Sequence, residues 1–172
     1  MDEIERLLED KSKKSKVIIE EIATVLLSGT ISIDCYVDLA RQKKGAKKSN
    51  LVEALELATK LKPALVNKNC LDFATSALLD KEPRTKWEAA RVIANSCEGF
   101  SSELQSAVEN LQRNVQGGGT VVRWSVAFAL SEIAKRSAYP HKERLLEQIR
   151  KNEAREEKAS IKKIYKEALK GQ

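Results

Sequence analysis

Few residues of this chain are of the types that carry chemistry. The one histidine, His141, follows Pro140. A histidine acting as base or metal ligand needs company, and neither an H-E-x-x-H motif nor a His/Cys cluster at metal-ligand spacing accompanies it. The cysteines Cys35, Cys70 and Cys97 are widely spaced, with no C-x-x-C and no histidine close in sequence. Two of them fall at apolar helical positions, so they read as small buried residues and not as nucleophiles. The segment Gln116-Gly-Gly-Gly-Thr-Val-Val122 has the glycines of a phosphate cradle. It lacks the Lys-Ser/Thr of a P-loop and no strand is expected before it, so it reads as a loop between helices. That leaves Trp87 and Trp124, each behind a basic residue, as aromatics able to stack on a base or substrate. No catalytic, cofactor-binding or metal-binding residue is assigned, and no cofactor is expected.

The setting of the two tryptophans gives them another role. "KWEAARVIANSC" and "RWSVAFALSEIA" align with Trp87 on Trp124, 37 positions later. Ala90 then meets Ala127, Ile93 meets Leu130 and Cys97 meets Ala134. Those offsets of 0, 3, 6 and 10 lie along one side of a helix. The tryptophans are therefore expected to pack between neighbouring helices at a repeated core-edge position. A weaker copy, "NLVEALELATKLK", sets Val52 opposite Trp87, and "KVIIEEIATVLLSG" has the same character. An amphipathic helix separates successive copies. A helix-pair unit of about 35–40 residues, repeated, is the signature of an α-solenoid.

Composition and punctuation agree. With aromatics at 5%, seven Gly and three Pro in 172 residues, the chain favours helices over a β-sandwich. At 42% hydrophobic residues it is too apolar for disorder. Helices are predicted at 2–9, 15–28, 32–42, 47–61, 64–79, 84–97, 101–115, 120–136, 140–151 and 153–169, with Gly and Pro falling between them. Ser32 and Ser101 or Ser102 are predicted N-caps, and Pro83 and Pro140 are predicted in first turns. One domain is expected over 1–172, with its clearest repeats at 64–137 and capping helices in 1–45 and 138–172. The acidic N-terminal stretch is unlike a signal peptide and the longest apolar runs are too short to span a bilayer. With an odd cysteine count, this makes a cytoplasmic protein the expectation.

The pattern Asp80…Arg84-x-x-Trp87-x-Ala89-Ala90-x-x-Ile93, recurring as Arg123-Trp124-x-x-Ala127-x-x-Leu130-x-x-Ile133, resembles the HEAT/armadillo-like repeat family. The resemblance implies an all-α, right-handed α-solenoid of about four to five helix pairs. Such motifs specify packing and say little about function. Some helical-repeat enzymes similar in fold hold iron on His-Glu pairs, which this chain lacks. HEAT-like DNA glycosylases use aromatic residues with an acid on a basic concave surface. Here the repeat accounts for both tryptophans and no tryptophan-rich acidic cluster is visible.

A solenoid offers partners a surface built from one helix of each pair. On the second helices the outward residues are expected to be Glu20, Glu21 and Thr24; Glu53, Glu56 and Lys60; Arg84, Glu88, Arg91 and Asn95; Ser125, Phe128 and Glu132. So many carboxylates would repel a phosphate backbone. The ridge therefore suits a protein or peptide, with Arg84, Glu88, Arg91, Asn95, Phe128 and Glu132 as its candidate contacts and Arg91 and Phe128 as anchors. The net charge of +6 concentrates elsewhere, in "KSKKSK", "RQKKGAKK" and "KEPRTK". Lys43, Lys44, Lys47, Lys48 and Lys81 sit where second helices begin. Cations there oppose the helix dipole, so they are read as a candidate anion-binding edge for nucleic-acid phosphate, acidic lipid headgroups or an acidic protein. The main expectation is a non-enzymatic protein-interaction or scaffolding module. The alternative is a nucleic-acid-binding repeat protein, including a glycosylase-like one.

Overall fold

Two helices start on side-chain caps set one repeat interval apart, and a third starts on a proline. In the computed structural model, which describes residues 2–170, ten α-helices follow one another. They are α1 (Asp2–Glu9), α2 (Ser15–Ser28), α3 (Ile33–Gln42), α4 (Gly45–Leu61), α5 (Lys68–Ala77), α6 (Pro83–Ser96), α7 (Gln105–Arg113), α8 (Thr120–Arg136), α9 (Lys142–Arg155) and α10 (Ala159–Leu169). Ser32 Oγ accepts from the Cys35 N–H at 3.2 Å at the start of α3. One repeat later Asn67 Oδ1 accepts from the Cys70 N–H at 2.9 Å at the start of α5. Pro83 occupies the first turn of α6, where a missing N–H costs nothing. Gly29, at φ 74°, closes α2 in the left-handed conformation that glycine adopts freely.

Several predicted boundaries move. The helix predicted at 64–79 opens as a 3₁₀ turn, Pro63–Leu65, and α5 begins only after its Asn67 cap. The one predicted at 101–115 begins at Gln105, behind a 3₁₀ turn at Cys97–Phe100. Neither Ser101 nor Ser102 caps it. Ser101 Oγ instead accepts from Ser137 Oγ at 3.0 Å and from the Ala138 N–H at 3.1 Å, joining two repeats. Pro140 lies ahead of α9, whose first residue is Lys142. The break expected at 152 falls at 156–158, so α9 runs to Arg155.

The pairs stack in two layers. Helices α2, α4, α6, α8 and α10 lie side by side in that order, and α3, α5 and α7 line up behind them. This is an all-α solenoid of five helix pairs, with no strand among the described residues. A middle helix such as α6 touches α4 on one side, α8 on the other and α5 behind. It is therefore buried nearly all round. Alanines let the neighbours approach: Ala54 and Ala58 on α4, Ala89, Ala90 and Ala94 on α6, and Ala127 and Ala129 on α8 are all buried. Leu51, Leu55, Val92, Ile93, Val126 and Leu130 fill the space between them. Fully burying a side chain of this size contributes about 1.5–3 kcal/mol.

A second set of contacts crosses from repeat to repeat and is polar. Ser49 and Thr85 hydroxyls meet at 2.9 Å in the α4–α6 seam. Asn110 Nδ2 donates to the Thr75 carbonyl at 3.0 Å, and Asn114 Nδ2 donates to the Leu78 carbonyl at 2.9 Å. Asn152 Nδ2 reaches Gln112 Oε1 at 3.0 Å. Each partner lies about one repeat away, so these bonds fix the rotation of one unit on the next while satisfying buried groups.

Candidate functional site

On a helix packed on three sides only a narrow stripe reaches solvent. On α6 the stripe is Arg84, Trp87, Arg91 and Asn95, all half-buried. On α8 it is Val121, Trp124, Phe128, Glu132 and Lys135. The two stripes are in the 37-residue register of the sequence repeat. Trp87 packs against the core, as the repeat predicts. Trp124 does not fit that expectation: it is 39% exposed, with its ring stacked on Phe128 at 5.6 Å and 10° between planes. The physical reason is the i, i+4 spacing, which sets Trp124 beside Phe128 on the one open face of α8. The apolar positions Ala127 and Leu130 had put Trp124 on the wrong side.

Three residues placed outward by the sequence are buried, two of them carboxylates. Glu56 is 1% exposed and Glu88 4%. They converge on Arg91, which meets Glu56 Oε1 at 2.9 Å and Glu88 Oε2 at 3.4 Å. Trp87 Nε1–H donates to Glu88 Oε1 at 2.6 Å, while Glu56 Oε2 has no partner. Burial dominates at Glu88, and the nearby Glu53 and Glu56 add to it. Trp87 and Arg91 pull the other way, and the outcome is a pKa of about 7. Arg91 is thus committed within the protein, as is Arg84, whose Nε donates to Glu53 Oε2 at 2.8 Å. Asn95 Nδ2 donates to the Glu56 carbonyl at 3.3 Å and to Thr59 Oγ1 at 3.2 Å. Ser125, also expected outward, is buried. Glu132 sits at the rim, paired with Arg136 at 3.2 Å and Lys135 at 4.0 Å. Of the two expected anchors, only Phe128 offers a surface without a partner of its own charge to break.

The basic edge is largely neutralised by the fold. Lys43 meets Glu5 at 2.9 Å, Lys47 pairs with Glu9, and Lys48 meets Asp80 at 2.6 Å. Although they oppose the helix dipole, these lysines have a structural role: they tie the start of α4 to α1 and to the loop before α6. Lys44 and Lys81 are exposed. Burial alone would raise the Asp80 carboxyl, but Lys48, the Glu82 N–H and Lys81 together hold it below its ordinary range.

The remaining chemistry-bearing residues are dispersed. His141 is exposed, edge-on to Tyr139 at 5.7 Å. Burial pushes the Cys70 thiol up to about 12 and the Cys97 thiol to about 11, which suits packing and not nucleophilic attack. Among the described residues no three His, Cys, Asp or Glu side chains gather as metal ligands, and no helix is long and apolar enough to cross a membrane. The triple-glycine loop runs into α8, and Gly118, at φ 93°, bends it.

No protein-family model matches the chain, and no curated protein matches it. Solved structures do. An armadillo repeat protein computationally designed for modular peptide recognition superposes with a TM-score of 0.69 at 17% identity, over 96% of this chain and 79% of that one. A second designed armadillo repeat protein gives 0.65 at 17%, again over 96% and 79%. An engineered protein gives 0.66 at 16%, over 98% of this chain and 78% of that one. The chain thus has the armadillo/HEAT-like helical repeat fold.

Proposed function

We propose that the chain is a non-enzymatic protein-interaction or scaffolding module, acting as one domain, that binds a protein or peptide segment on the layer of even-numbered helices. The observation that carries this reading is the Trp124–Phe128 stack. Two aromatic rings lie against each other on the open stripe of α8, one of them 39% exposed. Rigid aromatics of this kind dominate binding energy at protein interfaces. The ion pairs around Arg84 and Arg91 commit the cations of the adjacent α4–α6 surface to the protein's own carboxylates. The peptide recognition for which a similar solenoid was designed supports the same use of the fold. Three free cysteines, widely separated, suit a reducing cytoplasm.

The experiment is a peptide-display selection on the intact protein, repeated on a Trp124→Ala/Phe128→Ala variant. Peptides retained by the first and lost by the second support the reading. Enrichment that ignores the double substitution sinks it. Nucleic acid is the weaker reading, because three of the five candidate edge lysines already hold carboxylates. A titration with duplex DNA and single-stranded RNA at low and moderate salt tests it directly; salt-steep binding would reinstate it. The glycosylase variant needs an accessible acid beside its aromatics, whereas Glu88 is covered and already bonded to Trp87 and Arg91.

A further inference from the structure

Beside the aromatic stack, α8 and α10 part to leave a groove of about 230 Å³. Phe128, Ser131 and Ile164 line it, and Lys135, Lys163 and Glu167 stand at its rim. Sites for whole small molecules usually enclose about 300–1,000 Å³, so this one is sized for a single large side chain. One further observation bears on what enters, the charge at its rim. The charged lining residues are Glu132 and Glu167 against Lys135 and Lys163, and both carboxylates are already taken up: Glu132 by Lys135 and by Arg136, which also meets Glu98 at 2.6 Å, and Glu167 by Lys170 at 2.7 Å. Lys163 has no carboxylate within ion-pair distance among the described residues, although Lys163 and Lys135 both act on Glu167.

Resting on the reading that the even-helix layer binds a protein segment, we infer that the α8–α10 groove seats one large aliphatic or aromatic side chain of an acidic peptide. Its flanking carboxylates sit on Lys163 and Lys135. Phe128, with Trp124 stacked on it, forms one wall of the groove. A basic peptide would meet like charge at Lys163, and a neutral one would leave that lysine without a partner.

The test is fluorescence anisotropy with short labelled peptides rich in Asp and Glu around one central Leu or Phe. Controls carry a central Ala, Asn/Gln in place of the acids, or Lys/Arg in place of the acids. The acidic, apolar-centred peptide is expected to bind best. Lys163→Glu and Ile164→Ala are each expected to weaken it by about tenfold, and the first also to reduce its salt sensitivity. Lys163 is exposed, so its substitution leaves the fold intact; circular dichroism of both variants checks this. Equal binding of the basic or neutral control overturns the inference, as does indifference to both substitutions. A display-selected peptide that needs Trp124 and Phe128 but ignores the groove variants overturns the groove alone. Failure of every peptide, selected or designed, overturns both readings.

Discussion

The buried Glu56–Arg91–Glu88 cluster makes stability depend on pH in an unusual direction. Two carboxylates at 1% and 4% exposure share one guanidinium, so charging both leaves a net negative charge out of water. The Glu88 pKa is accordingly raised from 4.5 to about 7, with burial the largest cause. The folded state then binds the proton more tightly than the unfolded chain. Its contribution is fully present below about pH 4.5 and is lost as pH rises through about 7. A gap of about 2.5 units at ~1.4 kcal/mol per unit amounts to roughly 3 kcal/mol, of which the cluster's relaxation returns part. Glu88→Gln keeps an acceptor for Trp87 Nε1–H and removes the charge. Urea denaturation followed by circular dichroism, between about pH 5 and pH 8, reads the effect. The wild type is expected to lose about 1–3 kcal/mol across that window. The variant is expected to stay level and to exceed the wild type at the alkaline end. A flat wild-type profile, or a variant that keeps the wild-type slope, would refute the reasoning.

Other expectations follow from the inter-repeat contacts and the loops. Asn114→Ala removes bonds to the Leu78 and Asn110 carbonyls and to Lys86 Nζ, and is expected to cost about 2 kcal/mol in the same urea assay. Reversing Lys43 and Lys47 to Glu sets like charges against Glu5 and Glu9. Hydrogen exchange should then speed up around Ile4 and Leu8 in α1, while Lys44→Glu should leave it unchanged. Gly118→Ala places a Cβ 3.3 Å from Val122 Cβ at φ 93° and should lower stability by about 1 kcal/mol, whereas Gly117→Ala, whose nearest atom lies at 3.9 Å, should be neutral. Trp124→Ala, on the exposed stripe, should change stability by less than about 1 kcal/mol yet remove binding of display-selected peptides.

How far the sequence could be read depended on the range of each interaction. Helix period and repeat are local properties, set by 3.6 residues per turn and by the same packing used twice. Trp87 with Trp124, Ala90 with Ala127 and Ile93 with Leu130 therefore announced a solenoid. Boundaries were less legible where a turn competed with the helix, as at Pro63 and around Ser101. Charge was misread for a different reason. Lys43, Lys48, Arg84 and Arg91 each find a carboxylate 31 to 38 residues away. A chain with 25 acidic residues does not say which of them arrives within reach. The sequence thus determined the helices, their pairing and their stacking, because those follow from apolar periodicity alone. Only the tertiary structure decided that Glu56 and Glu88 are buried, that three of the five edge lysines are bound to the protein's own carboxylates, and that Phe128, with Trp124 stacked on it, borders an open groove. Each of those depends on the rotation of one repeat against the next, which packed side chains and cross-repeat hydrogen bonds set together.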